Sequence, residues 1–462
     1  MATIMHWRRH LNQYFLANPI VSQVLSPSII EKVCRQAQYR WRNTFWSPAT
    51  TLITFILQVL STEKTLRFSV ASLLTQLAAR GATELPSADP TAYCQARIRL
   101  PSQVIDRMVN QLTDRLRQLV DENGAWLGHR VWIVDGTSIS MPDTPELQSQ
   151  YPQPHGQKSG CGFPMAQMVA MFCWTTGAVV NLLTDTISTH ELTLYRKLWH
   201  HFAPSDVVLA DRAYGSYVDI VRLQQKGVHG LFRLHHCRKA DFRRGIRLGS
   251  SDQLLTWERP KQWLASFGIS QEDFEQLPEK LMVRLVRISH TPRGFRSRTI
   301  VVVTTLLDPV ETPADEIRAL YRDRWTAELN LRDLKIALGM DVLRGQSLDV
   351  VHKEIAMHMM AYNLIRLLMW YAAREHDRDL HRLSFTGTLH RLRTVLPLLI
   401  ATKRKDRRNR LISYLLTWIA MDIVPLRPNR IEPRRRKRRP KQYSLLNKPR
   451  KWYHHHKDVG AR

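Results

Sequence analysis

Two short apolar runs each stop at an acid, and this pattern constrains the fold more than any other feature of the chain. Val131-Trp132-Ile133-Val134 ends in Asp135-Gly136-Thr137, and Val207-Val208-Leu209-Ala210 ends in Asp211-Arg212-Ala213. Four apolar residues in a row, mostly β-branched or aromatic, predict a buried strand. An acid that closes such a strand is presented at the rim of a sheet. Between the two runs, residues 167–174, a turn at Thr176-Gly177 and residues 178–183 predict a β-hairpin. Thr189 caps a helix through Leu192, Leu194 and Leu198, and another helix follows Asp211 as far as Lys226. The predicted order is strand, strand, strand, helix, strand, helix, with acids at the tips of the first and fourth strands. Acids at strand ends are common, so neither marks function alone.

A third acid stands in a different context. Residues 321–335 have a helical pattern. At about 100° per residue, Tyr321, Arg324, Glu328 and Lys335 fall within a sector of roughly 60°. Asp323 and Asp333 point elsewhere. A helix facing a core would carry Leu or Val on its organised stripe; this one carries a carboxylate, two cations and a phenol. Such a set suits a place where a divalent ion meets a phosphate backbone. The plain alternative is a solvated face of i,i+4 ion pairs.

Charge narrows the partner. With 68 Lys+Arg against 40 Asp+Glu, the net charge of +28 predicts a polyanion, nucleic acid first and an anionic membrane surface second. The basic run Arg434-Arg435-Arg436-Lys437-Arg438-Arg439 predicts an arm lying on phosphates with little sequence choice. The most apolar long segment, residues 355–373, contains His358, Asn363 and Arg366 and predicts a buried helix rather than a membrane span. Its methionines, Met357, Met359, Met360 and Met369, read as core filler. The start, Met1 to Arg9, lacks the apolar stretch of a secretory signal. The five cysteines show neither paired nor zinc-binding spacing, which predicts reduced thiols in a cytoplasmic protein, and His454-His455-His456 read as a surface tail.

A chain of 462 residues is too long for one ordinary core. Residues 1–125 are helical and basic in pattern, and their Arg97 and Arg99 are either DNA contacts or ordinary surface charge. Residues 126–234 form the first part of an α/β core. Residues 235–308 interrupt it with mostly β sequence, strands at 282–290 and 298–306 flanking a turn at Pro292-Arg293-Gly294. Residues 309–375 return to the core with the Glu328 helix, and 376–462 are helical with a basic tail.

Phosphodiester hydrolysis or transfer needs a deprotonated oxygen nucleophile and neutralisation of charge on the phosphate and leaving oxygen. Two Mg²⁺ ions about 3.5–4 Å apart do both and prefer hard oxygen ligands, which Asp135, Asp211 and Glu328 supply. The order of elements, with acids at these places, resembles a ribonuclease-H-like catalytic core. The Tyr321/Arg324/Glu328/Lys335 spacing is similar to the signature of DDE transposases of bacterial insertion sequences of the IS-four type. Also similar to that family are Asp135-Gly136-Thr137 through Met141-Pro142-Asp143-Thr144-Pro145, Tyr151-Pro152-Gln153-Pro154, Gly162-Phe163-Pro164, Ala210 to Tyr214, Tyr93 to Pro101, and Ile431-Glu432-Pro433-Arg434 to Pro449-Arg450. The resemblance covers nearly the whole chain, with no departure in the three acids.

It implies an α/β fold: a ribonuclease-H-like core with a mostly β insertion, plus N- and C-terminal helical regions. It implies that Asp135, Asp211 and Glu328 bind two catalytic Mg²⁺ ions, with Mn²⁺ as a substitute. Tyr321, Arg324 and Lys335 would hold the backbone of the transposon end. Cut-and-paste transposition through a DNA hairpin would follow, in a homodimer that pairs two ends. The partners implied are double-stranded terminal inverted repeats, read by the N-terminal domain, and target DNA; no membrane is implied. In the family a Trp of the β insertion can occupy the place of a flipped base, for which Trp257 or Trp263 is the candidate here, with packing inside the insertion as the alternative for either. Two other functions remain open on the sequence: a DNA-binding regulator derived from a transposase, which needs none of the acids, and a ribonuclease-H-like nuclease that only hydrolyses.

Overall fold

The computed structural model describes residues 19–82, 84–123, 125–290, 298–425, 443 and 445–455. Met1 to Arg9, the turn Pro292-Arg293-Gly294, the stretch Ile431 to Arg434, the basic run Arg434 to Arg439 and His456 lie outside the described residues. The chain forms two units. One comprises residues 119–138, 153–331 and 426–462, the other 1–118, 139–152 and 332–425.

The first unit is built on a sheet. Its strands are β1 (Val131–Ser140), β2 (Met165–Cys173), β3 (Val179–Thr186), β4 (Val207–Ala210), β5 (His229–Arg233), β6 (Ile246–Gly249), β7 (Asp252–Glu258), β8 (Lys280–His290) and β9 (Arg298–Thr304). They join in the order β3-β2-β1-β4-β5-β9-β8-β7-β6. β2 and β3 form the expected antiparallel hairpin, while β1, β4 and β5 run parallel. With the helices Glu191–Lys197 and Tyr217–Gln225 between the later strands, the β3-β2-β1-β4-β5 portion is the ribonuclease-H-like core. The insertion does not build a sheet of its own: β9 pairs antiparallel with β5, so its strands extend the core sheet. The expected pattern lacked β5. His229-Gly230-Leu231-Phe232-Arg233 is short and carries a glycine, which weakens a strand signal, yet it is held between two partners.

Alternate residues explain the core. Trp132, Val134, Val208 and Ala210 pack with Tyr214, Tyr217, Val218, Val221 and Phe232, and the same cluster runs on through Trp257, Leu281, Val283 and Leu285 of the insertion. Each Val, Leu and Phe side chain among them contributes on the order of 1.5–3 kcal/mol by leaving water. The helix Tyr217–Gln225 starts where Ser216 Oγ accepts the Asp219 amide at 3.1 Å. Not every acid at these strands is chemical. Asp206, buried just before β4, accepts from Arg130 Nε at 3.0 Å, Trp132 Nε1 at 2.6 Å and the Ala203 amide at 2.9 Å, and is purely structural.

The second unit is helical. Its centre is Pro48–Leu60, started by Ser47 Oγ accepting the Thr50 amide at 3.3 Å with proline in the first turn. The long helix Leu348–Glu375 packs against it, and Met357, Met359, Met360 and Met369 are buried there, as expected of core filler. Among the described residues no helix is long and apolar enough to cross a membrane. Buried Lys353 donates to the carbonyls of Arg97 at 3.3 Å and Ile98 at 2.9 Å, placing a cation at the negative end of the helix Thr91–Arg99. Arg97 lies over the Phe55 ring at 3.9 Å, which makes it a packing residue, whereas Arg99 is exposed.

Candidate active site

Strand register brings the first two acids together. β1 and β4 pair as Val131↔Val207, Trp132↔Val208 and Ile133↔Leu209. Two residues beyond the last pair, each chain reaches its acid, Asp135 on one and Asp211 on the other. Side chains alternate faces with a period of two and neighbouring strands lie about 4.8 Å apart, so the equal offset sets both carboxylates on one face, side by side. Asp135 Oδ1 accepts the Gly136 amide at 3.0 Å. Burial pushes the Asp135 carboxyl up to about 6; the Gly136 amide and Arg324 pull it down, and Glu191 and Glu328 push it further up.

The third acid comes from a helical segment less regular than expected. An α-helix spans Ala314–Asp323, the hydrogen-bonding pattern breaks at Arg324, a second α-helix spans Trp325–Arg332, and Asp333–Ala337 is a π-helical turn. Arg324 keeps helical angles, φ −49° and ψ −35°, so the phase relation of Tyr321, Arg324 and Glu328 survives. Lys335 falls in the π turn, which winds more residues per turn than the α-helix on which its phase was read. Lys335 is half-buried and belongs to the helical unit. Asp323 and Asp333 do point elsewhere: Asp323 accepts from Trp174 Nε1 at 3.0 Å, and Asp333 pairs with Arg332 at 3.3 Å.

Arg324 links the acids. Its Nη2 pairs with Glu328 Oε1 at 3.3 Å. Burial alone would lower its guanidinium, but Tyr321, Asp211, Asp135 and Glu328 outweigh it and hold Arg324 above its usual range. Tyr321, nearly buried, has its phenol pushed up to about 12 by burial, against Arg324 and Arg233 and with Asp211, so at neutral pH it is a hydroxyl donor. Three carboxylates thus share one guanidinium. Among the described residues, the one group of three His, Cys, Asp or Glu ligand atoms all within 4.8 Å is the exposed His235, His236 and Cys237, so the oxygens of the triad stand wider than that. The donor set still fits a hard divalent cation. All its ligands are carboxylate oxygens, and an added cation would offset the burial that chiefly raises Asp135 as well as the smaller repulsion from Glu191 and Glu328.

The two tryptophan candidates separate. Trp257 is a core residue of β7 with the Arg238 guanidinium 3.8 Å from its ring centre, so packing is its role. Trp263 is 37% exposed, donates to the Ile269 carbonyl at 2.9 Å, and lines an open cavity with Arg259, Lys261 and Lys280. Sequence reasoning missed Glu191. It opens the helix Glu191–Lys197 and accepts a hydrogen bond from Tyr214, whose phenol burial holds far above its ordinary range, with Glu191 and Asp135 adding to the effect. An acid in a first helical turn reads as a dipole partner, so the chain alone carried no signal for it.

Comparison with known proteins identifies a family. Residues 126–364, more than half of the chain, match the family described as the transposase DDE domain. Over 367 residues the chain is 24% identical to "Transposase InsG for insertion sequence element IS4" of Escherichia coli (strain K12), covering 79% of this chain and 80% of that protein. Over 141 residues it is 26% identical to "Putative transposase InsZ" of the same strain, covering 30% of this chain and 46% of that one. Among solved structures, a piggyBac transposase synaptic complex with hairpin DNA aligns with 89% of this chain and 85% of its own at 9% identity and a TM-score of 0.40.

Proposed function

The chain belongs to the transposase DDE domain family, and from that premise we propose that it cuts DNA at the ends of a transposable element and joins them to target DNA, using Asp135, Asp211 and Glu328 as its metal-holding acids. As a member of that family it is a DNA transposase, an enzyme. The observation that carries the residue assignment is the common offset of Asp135 and Asp211 beyond the β1–β4 pairs, with Arg324 shared among both and Glu328.

Two divalent ions, Mg²⁺ or Mn²⁺, held by these oxygens would neutralise charge on the scissile phosphate and its leaving oxygen. The chain's own groups do the rest. Tyr321 donates its hydroxyl to a phosphate oxygen, Arg324 offsets the carboxylate charge when DNA approaches, and Lys335 contacts the backbone of the element end. Water adds to the phosphorus at the end of the element, the bond to the 3′-oxygen breaks, and that oxygen leaves as a 3′-hydroxyl. The hydroxyl attacks the opposite strand and closes a hairpin, water reopens it, and the same hydroxyl then attacks target DNA. Trp263 is the residue for a flipped base beside the hairpin. The N-terminal helices read the inverted repeats, and two copies of the chain pair two ends.

The test is cleavage of a supercoiled plasmid carrying this chain's own gene with its flanking DNA. Asp135→Ala, Asp211→Ala and Glu328→Ala should each abolish divalent-ion-dependent end cleavage while DNA binding survives. Cleavage that persists in one variant removes that residue from the site. Cleavage by the unaltered chain without capture of a second DNA would make it a hydrolytic nuclease, and binding without cleavage a silent regulator.

A further inference from the structure

We infer that Glu191 is a positioning residue of this site, a fourth carboxylate that ties the Asp135-Gly136 segment of β1 to the turn that follows β4. The inference rests on the triad assignment and adds a residue to it. The last β1–β4 pair is Ile133↔Leu209, so Asp135 and Asp211 lie beyond the backbone ladder that aligns their strands. Glu191 bridges that gap from outside the sheet. Its Oε1 accepts the hydroxyl of Tyr214, which ends the short turn Arg212–Tyr214 directly after Asp211. Tyr214 is 2% exposed and its ring is wedged edge-on against Tyr195 at 4.9 Å, so the hydroxyl it offers is fixed.

The same carboxylate presses on the middle of β1. A Cβ added to Gly136, the residue after Asp135, would collide with Glu191 Oε1, Cδ and Cγ. Gly136 does not lie in the left-handed region that favours glycine, so close approach of Glu191 accounts for glycine there rather than backbone conformation. The amide of Gly136 in turn donates to Asp135 Oδ1. One side chain therefore touches the residue next to the first acid and the residue that closes the turn after the second. Its helix starts at Glu191 itself, with His190 Nδ1 accepting the Leu192 amide at 3.2 Å, which fixes the direction from which the carboxylate enters.

The full chain is assayed on the plasmid described above at saturating DNA with Mg²⁺ varied. Glu191→Ala should slow cleavage about 10- to 100-fold and raise the Mg²⁺ concentration for half-maximal rate, the usual scale for losing a group that orients metal ligands. Glu191→Gln, whose amide oxygen still accepts from Tyr214, should restore most of both. Tyr214→Phe should copy the alanine defect, and adding it to Glu191→Ala should cost nothing further. A Glu191→Ala enzyme with unaltered rate and Mg²⁺ dependence overturns the inference, as does a Glu191→Gln enzyme no better than Glu191→Ala. Should Glu191→Ala not fold, Tyr214→Phe and Glu191→Gln decide the matter by the same criteria. Asp135→Ala in the same assay keeps the levels apart: normal cleavage there defeats the triad assignment itself, whereas loss there with a normal Glu191→Ala defeats only the role of Glu191.

Discussion

Arg284 and Arg324 each face a carboxylate in the sheet unit, and the two pairs are built differently. Arg284 on β8 has no exposed side-chain surface. It grips Asp252 of β7 with two hydrogen bonds, Nε to Oδ1 at 2.8 Å and Nη2 to Oδ2 at 2.6 Å, and its Nη1 donates to the carbonyls of Asp308 at 3.2 Å and Thr312 at 2.7 Å. Nothing in that pair is left to bind a ligand. Arg324 makes one 3.3 Å contact with a Glu328 whose side chain is 41% exposed, and its charge is shared with Asp135 and Asp211. A latch saturates every donor; a reactive centre keeps more acid than base and remains open. Counting ion pairs would rank the two alike, and only their unspent charge tells them apart.

Four variants probe this contrast. The largest effect should come from Arg284→Met, which leaves Asp252 buried and alone and should cost about 3–5 kcal/mol in urea unfolding. Asp252→Leu added to it should recover much of that. A loss under about 1 kcal/mol would mean that the latch is no latch.

Asp135→Asn should act with the opposite sign. The folded pKa of Asp135 lies above its ordinary value, so its proton stabilises the fold below about pH 4, and that contribution is lost as pH rises through about 6. At pH 7 without divalent ions the ionised carboxylate is a burden, and Asn should raise stability by on the order of 2 kcal/mol. The gain should vanish at pH 4, and equal gains at both pH values would show that charge is not the cause. The smallest effect is expected from Lys335→Ala, which should weaken binding to element-end DNA and lower the salt slope of log K by about one. An unchanged slope would place Lys335 among structural cations, with Arg284.

Much of this was legible in the chain. Two apolar runs closed by acids forecast β4 and the first half of β1, since a buried parallel strand needs no polar alternation to be seen, but β1 does not stop at its acid and runs on through Asp135 to Ser140. The spacing Tyr321-Arg324-Glu328 forecast their grouping, because helical phase holds through that stretch. The irregular winding at Lys335 was not legible, because nothing in Asp333-Leu334-Lys335-Ile336-Ala337 announces a π turn. Arg97 read as either a DNA contact or ordinary surface charge, and its place over the Phe55 ring was hidden because that pairing is set by helices far apart in the chain. The continuity of the insertion with the core sheet was hidden for the same reason: β5 and β9 are brought together only by folding. Glu191 was invisible because its meaning lies in what it touches, Tyr214 and the space over Gly136.

The β1–β4 pairing has one more consequence, for tolerance to insertions and deletions. Surface loops of this protein can lengthen at a cost of well under about 1 kcal/mol per added residue. A single residue inserted between Leu209 and Asp211 is a different matter: it would turn the second carboxylate to the far side of the sheet and shift the buried residues beside it, Ala210 or Tyr214. Such a protein would cut nothing even where it still folds, because here the spacing in the chain decides activity before any change in chemistry does.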